Sequence, residues 1–362
     1  MKKLLALALL CFSSTAYSVD YKVTVLGTLD GTGNSIATAI NDNGVVVGRA
    51  NNGGTGEAVS WTSGTAASLG FQGIAHGINN SGQIVGETGT GSLYDPGRAF
   101  LYSGGVTTDL GDLGGTKAVA YGINDLGVVV GYSMIAGDSV NELKAFRYDG
   151  SMTNLGDVNG LGTGYSRAQG INNSGVIAGR GSIDTFANSE KHMIRWDADN
   201  TLNQIVGPND YSTGLAINNN GVIVGNGKNA DGKQRAIIWG AGGGLTMLDT
   251  LGGNNSRAFG VNDLGQVVGS SAVVGGVKHA FITLDGGATM IDLNTATTGL
   301  SGFSVLNEAY DINESGQIIG YGTLSTGEIS AFLLTPVPVP AAVWLFGSAL
   351  GLLGWVRRRR LN

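Results

Sequence analysis

Few side chains in this sequence are spaced to do chemistry together. No Gly-x-Ser-x-Gly elbow, His-Glu-x-x-His pair, Walker loop or Gly-x-Gly-x-x-Gly turn after a strand occurs. The three histidines, His76, His192 and His279, fall in three different sequence repeats. A zinc or acid–base centre needs convergent ligands, so no catalytic or metal role is expected of them. His192 and His279 share a slot that Glu57, Arg98, Lys144, Arg235 and Ser330 fill elsewhere, which suggests a tolerant, exposed position. Oxygen ligands recur at Asn41-Asp42, Asn124-Asp125, Asn262-Asp263 and Asn313-Glu314, but three sister turns carry Asn-Asn. None has the spaced carboxylates of a calcium loop. These asparagines are expected to satisfy backbone groups at tight turns, and no cofactor is expected. Trp61, Tyr102, Tyr148, Trp196 and Trp239 could stack on sugars, yet Thr283 and Leu334 stand in the same place in other repeats. That pattern suits packing between repeats better.

The elements that position these residues repeat seven times. Ile-Asn-x-x-Gly-x-x-x-Gly occurs at Asn41, Asn79, Asn124, Asn172, Asn218 and Asn313, and at Asn262 with valine in place of isoleucine. Successive asparagines are 38, 45, 48, 46, 44 and 51 residues apart. An Ala-Phe-Leu-Tyr type of motif follows each by 17 to 21 residues, and a Leu-Gly type of motif comes next. Each unit therefore reads as four short strands: a ending at Ile-Asn, b after the turn, c at the aromatic motif and d at Leu-Gly. Asn and Gly favour the short a–b connection because they tolerate positive φ. No segment of the body keeps a helical period.

Four-stranded units of this length match propeller blades, which need neighbours to bury their faces. The expected fold is all-β: a seven-bladed β-propeller over 19–335. The body begins with strand d (Tyr21 to Leu26) and ends with strand c (Ala331 to Leu334), so the N-terminal strand is expected to complete the last blade and remove a free edge. A β-solenoid has no reason to show this permutation. In an a-b-c-d blade the uniform a–b turns lie on one side. The b–c loops and d-to-a crossings lie on the other, with b–c loops of 9 (Arg49 to Glu57) to 13 residues and a long crossing from Asn294 to Asn307. Ligands favour variable loops on a rigid frame, so Tyr94, Asp95, Arg98, Asp184, Phe186 and Phe303 are the candidate binding residues.

Both ends read as targeting segments. Lys2 and Lys3 precede an apolar run from Leu4 to Phe12, and Ala16-Tyr17-Ser18 offers small residues for signal cleavage after Ser18. Cys11, the only cysteine, would leave with residues 1–18, so the body must hold without disulfides. At the other end, 336–362, Pro336, Pro338 and Pro340 form a stiff spacer before an uncharged run of 16 residues, Ala341 to Val356. As a helix it would span about 24 Å, short of a hydrocarbon core of about 30 Å. Arg357, Arg358, Arg359 and Arg360 would hold its end on the cytoplasmic side of the inner membrane, tethering the body outside. Setting aside both ends leaves 15 cations against 27 acids, a balance of −12. A nucleic-acid partner is not expected of such a body. Its 63 glycines, without a collagen period, point to many tight turns.

Val337-Pro338-Val339-Pro340-Ala341-Ala342, the apolar run and the arginine cluster together resemble the PEP-CTERM class of sorting signals, closest to its VPLPA-type variant. The resemblance implies a Gram-negative bacterium that makes exopolysaccharide and an exosortase-type processing protease, with Pro338, Pro340 and Ala341 at the processing motif. The repeat unit resembles the HAF family of extracellular repeats. His279-Ala280-Phe281 carries its motif intact, while Arg98-Ala99-Phe100, Lys144-Ala145-Phe146 and Ser330-Ala331-Phe332 change the first position. The expected function is an exported, non-enzymatic surface or matrix protein that binds or scaffolds, associated with exopolysaccharide. The alternative is a carbohydrate-active propeller enzyme, hydrolase or lyase.

Overall fold

Both glycines of the nine-residue motif are dictated by backbone geometry. The first, as at Gly127, has φ near +79° and closes the a–b turn, a conformation side chains with a Cβ rarely adopt. The second lies in strand b opposite a β-bulge in strand a. A Cβ on Gly131 would fall on the carbonyl oxygen of Val119, and the same collision recurs at Gly48, Gly86, Gly179, Gly225, Gly269 and Gly320. The bulge puts one extra residue into the inner strand and turns its side chain out of register. In the third repeat Gly122 pairs with Val130 and Ala120 with Gly131, skipping Tyr121.

A computed structural model describes residues 20–90, 97–137, 143–157, 164–182, 191–205, 211–287 and 289–338. Every element in the repeat body, Tyr21–Pro336, is a β-strand, and the ladders are antiparallel. Five sheets have four strands, in the order predicted from the motifs. The fourth repeat is an example: Tyr165–Ile171, Ile177–Ser182, His192–Trp196 and Leu202–Ile205. A sixth sheet has seven strands, because Thr65–Ile78 serves as outer strand of the first repeat and inner strand of the second. The N-terminal strand Tyr21–Leu26 runs antiparallel to Ile329–Pro336, with Val23 opposite Leu334 and Leu26 opposite Ala331. It is the fourth strand of the last sheet.

Each apolar core is shared by adjacent sheets. Leu155 from the third repeat packs with Ala168, Ile177, Ile194 and Trp196 from the fourth. Leu26 and Ala331 pack with Ile40, Val46 and Trp61 in the same way, joining the two ends of the body. Trp61 and Trp196 donate their indole N–H to the Gly27 and Leu155 carbonyls of the preceding sheet, each at 3.0 Å. Burying such rings contributes about 2–3 kcal/mol apiece, so the strand-c aromatics are packing residues between neighbours. The result is a propeller-like stack of interdependent sheets.

Two expectations need correction here. The slot holding His192 and His279 is not uniformly exposed. His192 and Lys144 are buried, and the Lys144 ammonium meets the Asp157 carboxylate at 2.8 Å and the Gly164 carbonyl. Burial there is tolerated because the charge is neutralised. The nine-residue b–c connection of the first repeat is mostly paired strand, Arg49 facing Ala58 and Asn52 facing Thr55 around a Gly53-Gly54 turn. Among the described residues no helix is long and apolar enough to cross a membrane; 341–356, for which one was expected, lies outside them.

Candidate functional site

The asparagine turns form one end of the inner strands. Asn124 Oδ1 accepts from the Val128 N–H of its own turn at 3.0 Å, while its Nδ2 donates to the carbonyl of Asn172, one repeat on, at 3.1 Å. The same donation runs from Asn41 to Asn79, Asn79 to Asn124, Asn172 to Asn218, Asn218 to Asn262 and Asn262 to Asn313. Asn313 then donates to Asn41 at 3.0 Å, and the circuit returns to its start. A second circuit lies outside it. The N–H of Asp42, Asn80, Asp125, Asn173, Asn219, Asp263 and Glu314 each donates to the side chain of the next member, Glu314 to Asp42 at 3.0 Å. Amide groups of Asn80, Asn173 and Asn219 also bridge to Asp42, Asp125 and Asp263. Glu314, between Asp263 and Asp42, is pushed up by burial and by those two carboxylates. The circuits surround an open polar depression of about 200 Å3. Most of its side-chain oxygens already accept hydrogen bonds, and no metal-holding group of His, Cys, Asp or Glu occurs among the described residues.

Farther along the same strands the side chains stop repeating. The residues turned out by the bulges are Thr38, His76, Tyr121, Gln169, Leu215, Phe259 and Tyr310, all half-buried, between small residues that let adjacent inner strands approach. Asp311 is the exception among those small residues. Its carboxylate accepts from the Ile40 N–H across the seam at 3.0 Å and from Ile312, and burial pushes it up to about 7 against those donors. Around repeats two to four the strands carry a continuous aromatic and polar arc, half-buried at His76 and Tyr121 and buried at Tyr132, Glu87 and Lys117. The His76 and Tyr121 rings are 5.0 Å apart, and Tyr121 and Tyr132 5.8 Å. Glu87 lies 3.5 Å from His76 and 2.8 Å from the buried Lys117 ammonium. Burial pushes Glu87 up, but His76 and Lys117 outweigh it and hold the carboxyl below its usual range. Desolvation raises the phenols of Tyr121 and Tyr132, so both stay protonated hydrogen-bond donors.

Of the predicted binding residues, Arg98 is exposed and ion-paired to Asp112 at 2.9 Å, with Asp109 at 3.8 Å. Phe303 does not fit the role expected of it. It opens the inner strand of the last repeat, is buried, and packs edge-on against Phe332 at 6.1 Å. An apolar ring beginning a strand is claimed by the core. Tyr94, Asp95, Asp184 and Phe186 lie outside the described residues, as do Ala16, Ser18, Pro340, Ala341 and Arg357, Arg358, Arg359 and Arg360. Pro338 is described and exposed. The sequence-based choice missed Glu87, Lys117, Tyr121 and Tyr132. A signal for Tyr121 was available: aligned repeats show one position, mostly between small residues, that takes six residue types in seven repeats.

No protein-family model matches the chain, and a search of curated proteins finds no match. Solved structures similar to it include a gluconolactonase from Xanthomonas campestris (10% identity, 88% of this chain and 90% of that one, TM-score 0.42). A fucose-recognising, six-bladed propeller lectin from Aleuria aurantia matches at 13% identity over 73% of this chain and 95% of its own, TM-score 0.37. The sialidase of Trypanosoma rangeli matches at 11% identity over 91% of this chain and 59% of its own, TM-score 0.40. These likenesses concern the fold alone. Two of the three neighbours are enzymes, and the expectation that the chain is not an enzyme is therefore withdrawn.

Proposed function

We propose that the body is a closed seven-bladed propeller that binds extracellular carbohydrate on the inner wall away from the asparagine turns. One observation carries this reading: the half-buried His76 and Tyr121 rings side by side on that wall, backed by the buried Tyr132, Glu87 and Lys117. Aromatic faces stack on the apolar faces of sugars, and protonated phenols and fixed charges bond their hydroxyls. The permuted N-terminal strand supports closure, because a ring leaves no free edge. Export through 1–18 and an exosortase-processed PEP-CTERM-type tail, with Arg357, Arg358, Arg359 and Arg360 retaining the inner-membrane intermediate, would deliver this wall to exopolysaccharide at the cell surface. The HAF-type repeat supplies the frame.

The test is binding of the mature chain to the producer's own polysaccharide. Tyr121→Ala together with Tyr132→Phe should weaken it at least tenfold, while substitutions in the asparagine turns that leave the fold intact should not. Binding that follows the turns instead would place the site at the other end of the strands. A second reading, a carbohydrate-active enzyme on the same wall, is favoured by Glu87, a carboxylate kept ionised beside a histidine. Release of new reducing ends or unsaturated products from the bound polymer, lost in Glu87→Gln, decides for it. For sorting, replacing Pro338, Pro340 and Ala341 together should leave the protein uncleaved at the inner membrane. Equal cleavage of wild type and variant overturns the sorting role.

A further inference from the structure

The third and fourth repeats place three cations together, with no carboxylate paired to them among the described residues. Arg167 on the inner strand and Arg180 on strand b are directly opposite in the ladder, so both side chains leave the same face of the sheet. Like charges at directly opposed positions destabilise a sheet. Lys191 joins them at the start of strand c, and its ammonium is pushed down by burial and by the positive charge of Arg180 and Arg167. Elsewhere on these strands Lys117 is paired with Glu87 at 2.8 Å and Lys278 with Glu308 at 2.6 Å. Among the described residues neither Arg167, Arg180 nor Lys191 has an acidic partner within 4.0 Å. The Nε–H groups of both arginines are shielded from solvent and lack an acceptor.

The arginines are nevertheless held in place. The Arg167 guanidinium sits 4.3 Å from the centre of the Tyr132 ring and 5.2 Å from that of Tyr165, stacked on both faces offered to it. Stacking fixes the guanidinium plane and leaves its edge for a planar, two-oxygen acceptor, which it would meet bidentately. Tyr121, which feels both arginines, links this spot to the aromatic arc. A ligand here would reach the half-buried Tyr121 ring, with Tyr132 and Tyr165 buried beneath the Arg167 guanidinium, and would place a carboxylate between the arginines and Lys191.

We infer that Arg167, Arg180 and Lys191 form a subsite for the carboxylate of an acidic sugar, so that the wall selects a uronate-bearing polysaccharide. This inference rests on the carbohydrate-binding reading above and names the class of sugar. The surplus of negative charge on the body repels polyanions at long range, and a local cluster of cations is what makes such a ligand admissible.

The experiment titrates the mature chain with oligogalacturonate, with the same oligosaccharide after reduction of its carboxyl groups to alcohols, and with inorganic sulfate. Oligogalacturonate should bind and its reduced form should bind at least tenfold more weakly. Arg180→Gln and Lys191→Gln should each cut binding about tenfold or more, with an unchanged or higher melting temperature. Equal binding of the charged and reduced sugars overturns the subsite and leaves the carbohydrate reading standing. Sulfate binding that depends on Arg180, with no sugar bound, reduces the cluster to a plain anion site and overturns both. Unchanged oligogalacturonate affinity in Arg180→Gln and Lys191→Gln also overturns the subsite.

Discussion

The two ends of the inner strands obey different rules. At the asparagine end every repeat keeps the glycines and the asparagine, the latter followed by an acid or amide, because each turn must fit the next through one amide-to-carbonyl bond and one backbone N–H bond. Beyond the bulge, the same strands present threonine, histidine, tyrosine, glutamine, leucine and phenylalanine at one position. Repeats that must touch one another are constrained by mutual geometry. Side chains turned away from that contact are free to vary and can be recruited by a ligand. Identity between repeats therefore marks construction, and variation at a fixed geometric position marks the candidate site.

The most severe way to break the construction is to remove Tyr21–Leu26. The deletion strips the last sheet of its outer strand and the first core of Leu26. Loss of the cooperative unfolding transition by circular dichroism is expected, because stacked repeats lean on their neighbours. A variant that keeps a sharp transition at nearly the same temperature would show that the ends do not depend on each other. Next comes Gly131→Ala, which forces a Cβ onto the Val119 carbonyl and should cost about 3 kcal/mol or more in urea unfolding. Asn124→Ala strands the Leu126 and Val128 N–H groups and removes the amide donated to the Asn172 carbonyl, for a loss of roughly 2–4 kcal/mol.

A pH titration sharpens the contrast at the seam. Asp311 has a folded pKa near 7, against an ordinary value of 3.8, so between those pH values the folded state holds more protons than the unfolded chain. Stability from this group is present at low pH and falls as pH rises from about 4 to 7, with a slope of at most about 1.4 kcal/mol per pH unit. Asp311 keeps some solvent contact, which makes that slope an upper bound. Asp311→Asn should flatten stability over this window, and an unchanged pH profile would remove Asp311 from the seam's energetics. The smallest effect is expected on the wall. Arg180→Gln relieves a like-charge pair and should leave stability unchanged or raise it by about 0.2–1 kcal/mol. A loss above 1 kcal/mol would make Arg180 a structural residue and erase the distinction between the two ends.

The repeat period, the strand order, the turns and the spare N-terminal strand were all legible in the linear sequence. Each depends on chemistry inside about nine residues: an asparagine that caps its own turn, a glycine at positive φ, a glycine facing a bulge. The inward turn of Tyr121 comes from a one-residue register slip that no propensity reports. Arg167 and Arg180 are 13 positions apart in sequence and become neighbours only through that ladder. Tyr132 reaches Arg167 from a different repeat altogether. Burial was equally hidden: Lys144 and Arg98 occupy the same slot, yet Asp157 lets the first go inside while the second stays in solvent. Local turn chemistry is written in one dimension because its partners are adjacent in the chain. A site is written in three, because its partners are chosen by register and by which neighbouring sheet closes over them.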